Sequence, residues 1–274
     1  MEKEVREEQP VSIPRSVQFA MTAHGGAGRE YRISVAYPAE APPDEGYPAV
    51  YVLDAGAVFA TAVETVRLQA RRGDLSGVAP SVVVGVGYPT DQPFPPARYE
   101  DFTMPAPPEE LPSLRDGRLW PPMGGADMFA SFLVDELMPE MERRYPLDRA
   151  RRKLVGHSLG GLFVLHMLFT RPEAFRTYVA GSPSIHWNRG VLRERERFFA
   201  ARVRAERLEA DVLLAAGELE DGHPSGMNAN AREQAERLAS LAPFGVRAEY
   251  REFAGEGHLS VLPVLLSHAA RFGS

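Results

Sequence analysis

Ser158 stands in the pentapeptide Gly156-His157-Ser158-Leu159-Gly160, at the seam between the strand-like "RKLV" and the largely apolar run "LFVLHMLF". A serine hydroxyl is a weak nucleophile until a base takes its proton and an acid orients that base. The G-x-S-x-G spacing predicts a sharp strand-to-helix turn that lifts Oγ above a sheet. Gly156 and Gly160 are expected there because strand and helix approach too closely for a Cβ. The first helical amides, Leu159 foremost, would point to where an oxyanion develops. The chemistry this arrangement could perform is acyl transfer.

The partners must come from elsewhere in the chain. His258, in "AGEGHLSV", follows the strand-like "VRAEYREF", and its glycine neighbours leave the imidazole room to reach the serine. His166 inside a helix, His268 near the C-terminus and His24 in a turn read as structural. So does His157, which should point away from Ser158. His186 and His223 lie in loops that could border a pocket. For the acid, "VLLAAGELEDGHPSG" closes a strand at Gly217 and then offers Glu218, Glu220 and Asp221. Spacing past the last glycine favours Glu220, with Glu218 the alternative and Asp221 behind it. A second oxyanion donor is expected after "YVLDAG", from the backbone N–H groups of Ala55 and Gly56. The Asp54 carboxylate is not expected to act on the histidine, since its loop serves the oxyanion.

The elements that must position these groups alternate. "SVQFAMTA" and "REYRISVAYP" flank His24-Gly25-Gly26-Ala27-Gly28 and predict a hairpin. "AVYVLDAG" and "SVVVGVG" read as buried strands separated by the helix "AVFATAVETVRLQARR", the pattern of a parallel sheet covered on both faces. Residues 88–125 are crowded with proline and aromatics and read as a long irregular insertion near the site, packed rather than loose. Helix "GADMFASFLVDELMPEMERRY" follows, with Asp127 a candidate cap. Strands and helices then alternate to the helix "LSVLPVLLSHAARF", whose start Pro263 would kink or delay. Residues 1–274 read as one α/β unit: a mostly parallel central sheet, an N-terminal antiparallel hairpin and helices on both faces.

Composition narrows the classes. The 274 residues are 44% hydrophobic and 25% charged, with a net charge of −6. That charge disfavours nucleic acid and anionic membranes as partners. There is no cysteine, which excludes disulfides, thiolate metal sites and a cysteine nucleophile. No apolar run approaches the roughly 20 residues that span a bilayer. The N-terminus lacks a secretory h-region, so the expected address is cytoplasmic. The partner expected is a small-molecule ester, with no metal or organic cofactor.

Beyond the elbow, several segments resemble the bacterial esterase family that includes the enterobactin, salmochelin and bacillibactin trilactone esterases, which have the α/β-hydrolase fold. "YVLDAGAVF" is similar to its L-D-G-x-x-x-F segment, with Ala55 where glycine is usual. "VGVGYPTDQPF" followed by Arg98, Asp101, Phe102 and Thr103 resembles its R-x-x-D-[FY]-T motif. "GHSLGGLFVLHMLFTRPEAF", "GSPSIHWN" and "GEGHLSVLP" also fit. The resemblance implies carboxylic-ester hydrolysis by Ser158 and His258 on trilactone siderophores or other small esters, with an acid less regular than the other two. Trp187 and His186 are expected at the pocket mouth, although Trp187 could equally pack in the core. Arg98 could attract an anionic substrate or pair with Asp101 or a nearby glutamate. Two other readings share these residues: an acyltransferase or thioesterase, and a non-catalytic binder on a hydrolase scaffold.

Overall fold

The computed structural model describes residues 10–25, 28–107, 120–187 and 189–273. The chain runs β1 (Ser16–Thr22), β2 (Glu30–Ala36), β3 (Tyr47–Leu53), α1 (Ala55–Ala70), α2 (Gly73–Ser76), β4 (Val82–Gly87) and α3 (Ala97–Phe102). It continues through α4 (Ala126–Ser131), α5 (Met138–Arg144), β5 (Leu147–His157), α6 (Leu159–Thr170), β6 (Thr177–Gly181) and α7 (Arg189–Glu206). β7 (Ala210–Gly217), α8 (Met227–Ala239), β8 (Val246–Phe253) and α9 (Val261–Arg271) complete it. The strands form one eight-stranded sheet in the order β1-β2-β4-β3-β5-β6-β7-β8. β1 and β2 pair antiparallel, as does β2 with β4, and every other pairing is parallel. The two strands of the expected hairpin therefore pair as predicted; its Gly26 and Ala27 lie outside the described residues.

Alternation along the strands builds two cores. In β3, Ala49, Tyr51 and Leu53 enter one cluster, with Phe129, Phe163 and Phe199 from α4, α6 and α7. Val50 and Val52 enter the other, with Val63 of α1 and Leu265 of α9. A strand covered on both faces has no polar side to show, which is why β3, β4 and β7 are buried throughout. Helix α6 lies deepest, every residue from Leu159 to Phe169 being buried.

Three local expectations need correction. Asp127 does not cap α4: the N-cap is Gly125, and the Asp127 carboxylate accepts from Arg195 at 3.0 and 2.9 Å. The helix expected across residues 125–145 opens into a π-helical segment, Phe132–Leu137, ahead of α5. Pro139 has no N–H to give Asp135, and its ring would collide with that carbonyl in a regular helix. The insertion is not wholly irregular either. It contains α3, which begins directly after Pro95-Pro96, where the fixed φ of proline suits a helix start. Residues 108–119 of the insertion lie outside the described residues. α9 begins at Val261, so Pro263 falls in the first turn, where no N–H is required.

Candidate active site

β3, β5, β6, β7 and β8 end at the same edge of the sheet, and the candidate residues sit in the loops that leave it. Ser158, one residue past β5, has φ 59° and ψ −118°, a conformation a non-glycine residue holds only under constraint. A Cβ on Gly156 would lie 2.3 Å from the Gly160 carbonyl oxygen, so the elbow excludes any side chain there. Gly160 is less restricted than expected: the nearest atom to its Cβ position is Asp54 Oδ2, at 3.4 Å. The second close approach falls on Gly161, 2.7 Å from the Gly181 carbonyl. Main-chain bonds hold the turn, since Ser158 N–H donates to Gly181 at 2.9 Å and the Ser158 carbonyl accepts from Ser184 N–H at 3.1 Å.

His258 reaches the same site from the loop after β8. Its Nδ1 lies 2.6 Å from Glu220 Oε2. The other oxygen of Glu220 accepts from Ser182 Oγ at 2.6 Å and from Gly217 N–H at 2.9 Å. Burial alone would raise the Glu220 pKa. The hydrogen bonds from His258, Ser182 and Gly217 outweigh it and hold the carboxyl below its ordinary value. Of the three candidate acids, Glu220 is the one bonded to the histidine. The Glu218 carboxylate accepts from Gly255 N–H at 2.7 Å instead, and Asp221 is exposed. The acid turn and the histidine loop are stitched together, with Leu219 N–H donating to Glu256 at 2.9 Å. A Cβ on Gly217 would meet that same Glu256 oxygen at 2.3 Å.

Ser158 and His258 line one cavity of about 420 Å³ together with Arg98, Tyr99, Leu159, Ser184, His186, Trp187, Glu220 and His223. Among the described residues no hydrogen bond joins the Ser158 hydroxyl to His258; its neighbour is Ser184 Oγ at 3.3 Å. Leu159 contributes to the cavity wall, whereas Ala55 and Gly56 are not among its lining residues. The Ala55 methyl packs instead toward β4, where a Cβ on Gly85 would come within 2.9 Å of it. This is how the chain accommodates alanine at a position where the resembling segment has glycine.

Two groups depart from their expected surroundings. Arg98 does not pair with Asp101. It donates from Nε and Nη2 to the two oxygens of Asp54, each at 2.8 Å, and both side chains are buried. Asp101 accepts from Tyr88 at 2.9 Å and faces Arg29 at 3.3 Å. Burial would lower the Arg98 pKa, but the Asp54 charge and hydrogen bonds raise it. His157 stays out of the cavity that holds Ser158, as expected, but packs its ring 4.5 Å from the ring of His258. Burial first, then the neighbouring His258, pushes its pKa down to about 3, so it stays neutral.

Trp187 meets both of its expectations at once. It is buried in an aromatic group with Trp120 at 4.5 Å and Tyr99 at 5.8 Å, and it also lines the cavity. His186 lines the cavity beside it, and burial lowers its pKa. The remaining histidines lie elsewhere, with His24 on Glu136, His166 buried against Arg195 and His268 against Phe253. Among the described residues no group of three or more His, Cys, Asp or Glu side chains is placed to hold a metal ion. Sequence reasoning missed Ser182, Ser184 and the Asp54–Arg98 pair. "GSPS" after β6 carried the only signal for the serines.

An eight-stranded, mostly parallel sheet with a strained serine elbow after β5 defines an α/β-hydrolase. The chain matches the Esterase family over residues 25–261 and belongs to that family. It is 51% identical over 261 residues to the ferri-bacillibactin esterase BesA of Bacillus subtilis, covering 95% of this chain and 90% of that protein. It is 35% identical over 250 residues to the siderophore enterobactin esterase of Emericella nidulans, covering 82% and 81%. Among solved structures, the BES protein from Bacillus cereus aligns with a TM-score of 0.89 at 38% identity, covering 97% of this chain and 98% of that one. The protein is a serine ester hydrolase. No helix among the described residues is long and apolar enough to cross a membrane.

Proposed function

We propose that this esterase cleaves siderophore-type esters, trilactones among them, through an acyl-enzyme on Ser158. The observation that carries the assignment is the 2.6 Å contact between His258 Nδ1 and the buried Glu220, in the cavity that also holds Ser158. With Nδ1–H held by Glu220, the other ring nitrogen is left as the base. The Ser158 hydroxyl turns from Ser184, gives its proton to His258, and its oxygen bonds to the ester carbonyl carbon. The carbonyl oxygen takes up the electron pair as an oxyanion, received by Leu159 N–H and by the Ala55–Gly56 amides. When the carbonyl re-forms, the C–O bond to the alcohol breaks and His258 returns the proton to the leaving oxygen. Water then repeats the sequence on the acyl-enzyme.

Trp187 and His186 form the wall on which the acyl part rests, and Arg98 closes it behind Ser158. The relatives named for ferri-bacillibactin and enterobactin support a siderophore ester as substrate. Residues 1–274 act as one unit, in the cytoplasm, an address that fractionation of the native host would test. For the chemistry, turnover of a p-nitrophenyl short-chain ester and of a trilactone siderophore, with and without iron, should be measured for the native protein and Ser158→Ala. Loss of about 10⁴-fold or more is expected on every substrate. Substantial turnover by Ser158→Ala, or failure of the native protein on every trilactone, would sink the corresponding half of the proposal.

A further inference from the structure

We propose that Asp54 and Arg98 form one positioning unit that holds the oxyanion-side loop against the nucleophile elbow. This rests on the assignment of Ser158 as nucleophile and adds two residues that touch no reacting atom. Three segments meet at the pair. Asp54 closes β3 and immediately precedes Ala55 and Gly56, and it holds a left-handed backbone, φ 54° and ψ 46°. Arg98 comes from α3, 44 residues further on, and engages both carboxylate oxygens at 2.8 Å. Its Nη2 also approaches the carbonyl oxygen of His157, in the peptide unit that leads into Ser158, at 3.5 Å. On the other side, Asp54 Oδ2 lies 3.4 Å from the place a Gly160 Cβ would occupy, against the first turn of α6.

The chemistry of the pair suits this role. A guanidinium fork bonded to both oxygens of a carboxylate fixes angle as well as distance, which a single-point contact does not. The rings of Phe94 and Phe102, each 5.4 Å from the guanidinium carbon, border the fork. Stability is a poor reason for such a pair, because well-packed apolar groups of similar volume commonly serve as well or better. Geometry that must survive the appearance and loss of charge on the substrate is a better one. Arg98 faces the cavity, but its charge is already matched by Asp54, so its effect should appear in turnover rather than in substrate affinity.

The test is a set of variants assayed on a p-nitrophenyl ester, with thermal melting as the control for folding. Asp54→Asn, Arg98→Lys and Arg98→Met should each lower kcat by about 10-fold to 10²-fold, with KM changed by less than about threefold, as expected when an oxyanion donor is displaced rather than removed. Because Asp54→Asn and Arg98→Met each leave one buried charge without its partner, Asp54→Asn/Arg98→Met is the decisive protein. It buries no unmatched charge and should melt near the native temperature. Its kcat should fall no further than that of the worse single variant, since the two residues act together. Native kcat in a folded double variant would overturn the proposal, as would losses that multiply or a defect confined to KM. Ser158→Ala is run alongside. Turnover that depends on Ser158 yet ignores the pair defeats this inference alone, whereas turnover surviving Ser158→Ala defeats the hydrolytic assignment beneath it.

Discussion

Asp54 and Glu220 are buried carboxylates at the ends of strands on opposite sides of β5 in the sheet order, and they serve partners of opposite character. Asp54 holds a guanidinium, which keeps its proton at any pH a protein meets. That pair is static and suits a clamp. Glu220 holds an imidazole, which can take a proton and return it. It also collects a hydroxyl and a main-chain amide, so its charge stays supported while its partner changes state. Burial is nearly equal in the two. The identity of the partner is what separates a carboxylate that fixes a loop from one that orients a base.

The sharpest way to break this contrast is to remove the charge from one side only. Glu220→Gln keeps the shape of the side chain but cannot stabilise an imidazolium, and kcat for ester hydrolysis should fall by about 10²- to 10⁴-fold. Glu218→Gln should stay within about twofold, because its carboxylate meets Gly255 N–H and not the imidazole. A larger loss at Glu218 would exchange the two assignments. Next in size is Gly217→Ala. The added methyl would lie 2.3 Å from the Glu256 oxygen, forcing the acid turn from the histidine loop at a cost of about 1–3 kcal/mol in denaturant unfolding, with reduced turnover. Gly257→Ala on the same loop meets nothing within 4 Å and should shift stability by less than about 0.5 kcal/mol.

The smallest effect is in the pH dependence of stability. The folded pKa of Glu220 lies below its ordinary value of 4.5, so the unfolded chain binds the proton more readily than the folded one. The contribution of this carboxylate is therefore fully present above about pH 4.5 and is lost as pH falls through the folded value. Below about pH 4.5 the melting-temperature gap between the native protein and Glu220→Gln should close as acid is added. A gap that widens in acid would contradict the hydrogen bonding around Glu220.

Much of this was legible in residue order. Uniformly apolar runs such as "SVVVGVG" have one comfortable place, the middle of a two-sided sheet, and β4 lies there. The elbow was legible because its glycine requirement is local: strand and helix meet within five residues. The acid was narrowed to three neighbours, since a short turn can present any of them. Only the fold of Glu218–Glu220 into a 3₁₀ turn sends Glu220 inward to His258. The Asp54–Arg98 pair was missed for a different reason. Two charged residues separated by two helices and a strand carry no signal of proximity, and arginine near an anion pocket invites the simpler expectation of a substrate contact.

Taken alone, the order of residues determined the alternation of strands and helices, the strained serine turn and the set of residues from which base and acid must come. These depend on side-chain periodicity and on sterics within a few residues. Tertiary structure decided which carboxylate meets the imidazole, that His157 packs on His258, and that the Arg98 charge is spent on Asp54. Such contacts join segments tens of residues apart. They form only when crossovers bring separate loops to one edge of the sheet, where burial leaves each charge few available partners.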